Sequence, residues 1–270
     1  MISVSTAIIE SLRTAPLLGN DAVGAPVFYR KNFDVVDKKT ILNLNQKLGH
    51  LYEQALYSLI CTSDKLECVA HNLQIFDENK KTLGELDYVL FEQQSQSYIH
   101  LELAVKFYLA KEINGKWVYP GPDARDNWHR KLERMQNHQF ILPQSIEAKK
   151  LLKNSFDIDH IETQQLIYGC LFFPMNSNKK HYPEGVSRDC RFGKWLFVRQ
   201  WKDYFDDVES VYAIPKALWP VEIRNNNLHL YDKISTNDLI QKGRERCTMF
   251  FINTSTEPVF IVPDNWAINL

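Results

Sequence analysis

The chain has 270 residues, 44% hydrophobic and 12% aromatic, enough to bury a substantial core in one elaborated domain or two small ones. Lys plus Arg number 32 against 33 Asp plus Glu, a net charge of -1, so there is no overall basic field and any nucleic-acid partner must be held by a local patch. The five cysteines are odd in number and show no CxxC spacing, which argues against a disulfide framework or a zinc ribbon and for a reducing cytoplasm.

The opening MISVSTAIIESLRTAPLL has no charged leader, and Glu10 and Arg13 interrupt its apolar residues, so neither a secretory signal nor a membrane span is expected. Pro16, Gly19, Gly24 and Pro26 follow, which gives a short helix and an irregular arm over residues 1–40. From Thr40 the spacing of Leu44, Leu48, Leu51, Ala55 and Leu59, widened by Tyr52, Leu56 and Ile60, predicts a helix of about five turns that can cover a sheet.

Three strand-like runs come next: LECVAHNLQIF, LGELDYVLFE, and YIHLELAVKFYL continued to Lys111. Polar turns at 77–81 and 93–97 separate them, so an antiparallel meander is the economical topology. Asn114-Gly115 is the pair favoured in two-residue hairpins and predicts a ribbon running on from the third strand. Asp123 is a candidate N-cap for a helix that Pro143 would end after Leu142, with Trp128, Leu132, Met135 and Leu142 as its buried stripe and Gln139 on the same stripe. After a polar connection, TQQLIYGCLFFP reads as a further buried strand. From Asn176 onward, short aromatic runs such as KWLFVRQW, SVYAIP and MFFINTS predict a mixed α+β extension packed on the core, with no low-complexity linker before it.

The third strand carries the chemistry. Leu101, Leu103, Val105 and Phe107 alternate with His100, Glu102, Ala104 and Lys106, so an acid and a lysine share one face of an apolar strand. On the second strand Glu85 and Asp87 share a face, and pairing the two strands brings Asp87 towards Glu102. Two carboxylates on adjacent strands form a hard-oxygen site suited to Mg²⁺ or Mn²⁺, and a lysine beyond them can polarise a water or steady charge on a phosphate. The competing reading is a solvated strand face that happens to carry two charges.

The order helix, three-stranded antiparallel meander, helix, strand, with GELDYVL supplying Asp87 and HLELAVKF supplying Glu102 and Lys106, resembles the PD-(D/E)xK nuclease superfamily. More closely, GELDYVL, HLELAVKFYL and GPDARDNWHRKL resemble domain of unknown function 1853. The resemblance implies an α/β fold: a restriction-endonuclease-like core over 41–175, with residues 1–40 as an arm and 176–270 as the α+β extension. It implies metal-dependent hydrolysis of DNA, with Asp87 and Glu102 as Mg²⁺ or Mn²⁺ ligands, Lys106 assisting the water, and Glu53 or Gln139 in support. The superfamily separates its acid and lysine by one residue, whereas Glu102 and Lys106 are four positions apart, about 13 Å along a strand. A bulge, or the lysine stem leaning over Ala104, would close that gap.

The remaining candidates have two readings each. Glu53 either overlooks the sheet or is an exposed helix acid, and Gln139 either joins the site or caps a backbone group. Lys131 either contacts phosphate or is solvated. Residues 179–202 form a local basic patch that includes Arg191, Lys194 and Lys202, with Trp195 and Trp201 interleaved; it is either a nucleic-acid contact or a solvated face over two core tryptophans. The expected activity is therefore a nuclease acting on DNA, against the alternative of an inactive nuclease-like fold that binds nucleic acid or a protein.

Overall fold

The computed structural model describes residues 1–34, 40–252 and 255–267. Residues 35–39 of the N-terminal arm and 253–254 of MFFINTS lie outside the described residues. Helix α1 (Val4–Thr14) starts at Ser3, whose side chain accepts from the Thr6 N–H, and it buries Ile8, Ile9 and Leu12. The arm that follows lies along a strand: Leu18 N–H donates to Ile167 O, and Phe28 and Pro26 exchange backbone bonds with Gln165. Helix α2 (Leu48–Thr62) starts at Leu48 and runs four turns; Leu44 stays outside it and is 43% exposed. Lys47 offers no side-chain cap and Asn45 is bound to Asn43, so the apolar spacing from Thr40 overstates the helix by one turn.

The meander is β1 (Leu66–Phe76), β2 (Thr82–Glu92) and β3 (Ser97–Leu109), each antiparallel to the next. A hairpin of β4 (Lys111–Ile113) and β5 (Lys116–Val118) turns through Asn114 and Gly115, both at positive φ as such a turn requires. Helix α3 (Trp128–Arg134) is capped by Asn127, whose side chain accepts from the Arg130 N–H, and not by Asp123, which bonds to Arg125 N in the preceding turn. The helix then widens into a π-turn (Met135–Gln139) closed by Phe140 N–H on Met135 O. The connection to the next strand contains α4 (Ile146–Phe156), started by Ser145, before β6 (Glu162–Pro174).

The rest of the chain supplies β7 (Phe192–Phe197), α5 (Trp201–Phe205), β8 (Ser210–Ala213), β9 (Asp232–Ser235), α6 (Thr236–Glu245), β10 (Thr248–Phe251) and β11 (Val259–Val262). The fold is mixed α/β, built among the described residues on one nine-stranded mixed sheet in the order β1-β2-β3-β6-β7-β11-β10-β8-β9. β3, β6, β7 and β11 run parallel as neighbours, and residues after 176 continue the sheet edge to edge. β3 is central and buried on both faces. Leu101, Leu103, Phe107 and Leu109 pack on the α2 side, while Ala104 and Tyr108 pack with Trp128, Leu132 and Met135 of the α3 segment. The even-numbered face of β3, which carries Glu102, therefore looks at α3.

Candidate functional site

The pairing of Tyr88 with Leu101 fixes the register of β2 and β3, and one step further it sets Asp87 opposite Glu102. The ladder stops there because the Leu103 N–H bonds to Asp87 Oδ2 at 2.8 Å, so the carboxylate replaces a strand carbonyl as its acceptor. Glu102 is 1% exposed. Its Oε1 accepts from Gln139 Nε2, and Lys131 Nζ donates to Gln139 Oε1 at 2.7 Å while standing 3.9 Å from Glu102 Oε1. Among the described residues its Oε2 has no hydrogen-bond partner.

The π-turn explains how Gln139 arrives there. The extra residue per turn carries the chain round to the sheet, and Thr163 Oγ1 of β6 holds its end by donating to Phe140 O. β2 makes room with Gly84, where a Cβ would lie 2.7 Å from the Leu142 side chain and 3.1 Å from His138.

Burial decides the protonation of this cluster. It pushes Glu102 well above the usual carboxylate range, and neighbouring Asp87 pushes it further. It also raises Asp87 to about 7 against the lowering pull of the Leu103 N–H, with Glu53 adding to the rise. Lys131 is lowered, again mainly by burial. His100, wholly buried on the same face of β3, is lowered to about 4 by desolvation, and its Nε2 sits 3.9 Å from Glu102 Oε2 with no hydrogen-bond partner among the described residues. Gln165, paired with Glu102 across β3 and β6, is fully buried with its Oε1 also unpartnered among the described residues.

Glu53 belongs to this electrostatic neighbourhood from α2. The Tyr88 hydroxyl fastens its backbone carbonyl at 2.6 Å, and its carboxylate is paired with His50 at 3.0 Å. Lys106 is turned to the loop before α3, where its Nζ donates to Asp126 Oδ2 at 2.7 Å; both side chains are about one-third exposed. The lysine beside the acids is thus Lys131.

Arg191, Lys194 and Lys202 are not gathered onto this cluster. Arg191 donates to Trp219 O and Lys194 to Ser177 O, both partly buried, while Lys202 is exposed on α5. Trp195 and Trp201 are core residues at 4% exposure each.

Three participants were not singled out by sequence reasoning. His100 is two residues from Glu102, so the strand period already put both on one face. Gln165 is signalled by the TQQ that opens an otherwise apolar strand. Asp126 has no signal, because only the closed loop brings it to Lys106.

A divalent cation can be tested against these side chains. Asp87 and Glu102 are hard oxygen donors, Glu102 Oε2 is buried without a partner, and the two acids disfavour each other's ionisation. That donor set fits Mg²⁺ or Mn²⁺, which bind through one or two carboxylates and keep waters or phosphate oxygens elsewhere. Among the described residues no three His, Cys, Asp or Glu side chains form a complete metal-binding group.

No helix among the described residues is long and apolar enough to cross a membrane. A comparison with curated proteins finds no match, and a comparison with solved structures finds none either. The family model described as Domain of unknown function (DUF1853) matches residues 30–251, a span that contains every member of the acid cluster, and the chain belongs to that family.

Proposed function

We propose that the chain is a metal-dependent phosphodiesterase acting on DNA, on a restriction-endonuclease-like core formed by α2, the β1–β3 meander, α3 and β6. One observation carries the reading: Glu102 is buried, with Oε2 unpartnered among the described residues, beside a second, partly buried acid in the middle of the sheet. Burial makes ionising this acid unfavourable, and a divalent cation at Oε2 would reverse that, which gives a physical reason for two acids at this place in the sheet.

Asp87 and Glu102 would hold Mg²⁺ or Mn²⁺, and the bound ion would supply Lewis-acid polarisation of a phosphate oxygen and an acidified water. The chain's own groups do the rest. Gln139 fixes the rotamer of Glu102, and Asp87 is locked by the Leu103 N–H. Lys131, with its proton affinity lowered by burial, gives up a proton to water more readily than an exposed lysine does, and its ammonium form can offset phosphate charge. Lys106 would meet phosphate at the rim, and Glu53 would bias the site acidic from α2.

The test is cleavage of single- and double-stranded DNA with Mn²⁺, beside melting temperature against Mn²⁺ concentration. Wild type should cleave and gain stability with metal. Asp87→Asn and Glu102→Gln should lose both, and Lys131→Met should lose at least about 100-fold in rate while keeping the metal-induced stabilisation. Equal metal responses in wild type and both acid variants would remove these acids as ligands.

One observation favours a second reading, an inactive nuclease-like fold that binds nucleic acid or a protein. Lys131, Gln139 and Glu102 already form a contact chain, and Lys106 is engaged by Asp126. DNA binding without cleavage in the wild type at any divalent metal would establish it.

A further inference from the structure

Three of the buried polar atoms that lack a hydrogen-bond partner among the described residues belong to neighbours: His100 Nε2, Glu102 Oε2 and Gln165 Oε1. His100 and Glu102 are alternate residues of β3, and Gln165 is the register partner of Glu102 on β6. None of the three residues is more than 1% exposed.

Each is oriented by what holds its other end. Thr163 Oγ1 gives its proton to Phe140 O at 3.0 Å, so towards His100 Nδ1, 3.4 Å away, it accepts. The ring proton is thereby placed on Nδ1 and Nε2 keeps a free lone pair, which is how a metal-binding imidazole is held. Gln139 Nε2 occupies Glu102 Oε1, and Gln165 Nε2 is turned to Asn20 O at 3.5 Å, which leaves Glu102 Oε2 and the Gln165 carbonyl oxygen. His100 Nε2 and Glu102 Oε2 face each other at 3.9 Å, too far for a hydrogen bond. Two ligands held about 2.1 Å from one cation stand at most about 4.2 Å apart, so this gap suits two ligands of the same ion. Mg²⁺ takes oxygen ligands and water, whereas imidazole suits first-row transition cations.

We propose that His100 Nε2 and Glu102 Oε2 ligate one divalent cation, with Gln165 Oε1 as a third donor, and that the imidazole selects a first-row transition metal such as Mn²⁺ over Mg²⁺. This inference rests on the metal-binding reading of the acid pair and narrows its metal. Asp87, beside Glu102, supplies the second negative charge that balances a dication.

Mn²⁺ and Mg²⁺ are titrated into the metal-free full chain by calorimetry, and the Mn²⁺-loaded protein is measured by pulsed electron paramagnetic resonance, which detects a ligated histidine nitrogen directly. The proteins are wild type, His100→Gln, Glu102→Gln, and a control at two exposed histidines, His50→Gln/His138→Gln. Wild type and control should bind Mn²⁺ with nitrogen coupling. His100→Gln should lose the coupling and at least about tenfold of the Mn²⁺ affinity, while its Mg²⁺ affinity changes by less than about threefold. If the melting curve shows that His100→Gln does not fold, the wild-type and control spectra still decide. Mn²⁺ bound without nitrogen coupling, or coupling that disappears in the control, overturns the proposal. If Glu102→Gln still abolishes Mn²⁺ binding in that case, the acid-pair reading stands, and a bridging water or a shared proton joins His100 to Glu102 instead. Binding of neither metal to wild type overturns both.

Discussion

Asp87 and Glu102 hold their protons more tightly in the folded chain than in the unfolded one, since burial and mutual repulsion act only in the fold. The folded state then binds more protons than the unfolded state from about pH 4, where a free carboxyl titrates, up to about 7 for Asp87 and beyond for Glu102. Stability contributed by these groups is therefore present at low pH and lost as pH rises through that window, the reverse of an ion-paired acid. The metal-free melting temperature should fall between pH 5 and pH 8, and Asp87→Asn and Glu102→Gln should flatten that fall; parallel pH profiles for all three proteins would show that the acids are ionised without penalty. The acid pair itself was legible, because strand alternation and a hairpin register are enough to oppose residues 87 and 102. The lysine was not: Lys106 had the right face, but a long side chain goes to its nearest acid, and Asp126 sits in a loop whose closure no period encodes. The ammonium of Lys131 comes to Glu102 through Gln139, a contact set by how the helix ends.

At the scale of elements, the close approach of β3 and β6 depends on one glycine. Gly169 pairs with Lys106 at φ +147°, and a Cβ there would fall 1.6 Å from Lys106 O, a backbone atom that cannot swing aside. Gly169→Ala must therefore part the two central strands or be left unfolded, and a loss of more than about 3 kcal/mol in urea denaturation is expected; a loss below about 1 kcal/mol would mean that the strands separate freely. Strand boundaries were legible almost to the residue where apolar alternation met polar turns, as in β1 and β6. The helices were less so. α4 was hidden by its polarity, since only Ala148 and Leu152 are buried on it, and the π-turn after Arg134 has no sequence period to announce it.

For the whole molecule, the sheet has no seam at residue 175. β7 pairs with Leu171–Pro174 of β6, and from beyond it Phe260 packs edge-on against Phe172 at 4.6 Å, while Trp219 meets Phe107 at 5.4 Å. A fragment ending at residue 175 would leave Leu171, Phe172 and Phe173, all fully buried in the chain, on an open sheet edge. Expressed alone it should be insoluble, whereas the full chain should melt in one cooperative transition; a soluble fragment with its own sharp melt would show two independent units. Composition left both one and two domains open, because the partner strands of β6 and β7 are far along the sequence and local patterning does not reveal which strands will be neighbours.

The position of β11 also sets a timetable. It lies between β7 and β10, pairing Lys194 with Val259 on one side and Met249 with Phe260 on the other, so it joins the two halves of the sheet only after both exist. The β1–β3 hairpins close over short loops and can form early, but loop-closure entropy delays contacts between residues far apart in sequence. As the chain is synthesised, β7 emerges and must wait with one edge open until the segment around Val259 has cleared the ribosome. During that interval the exposed edge is the molecule's point of greatest exposure to misassociation, and a chaperone that recognises extended apolar segments would find its target there.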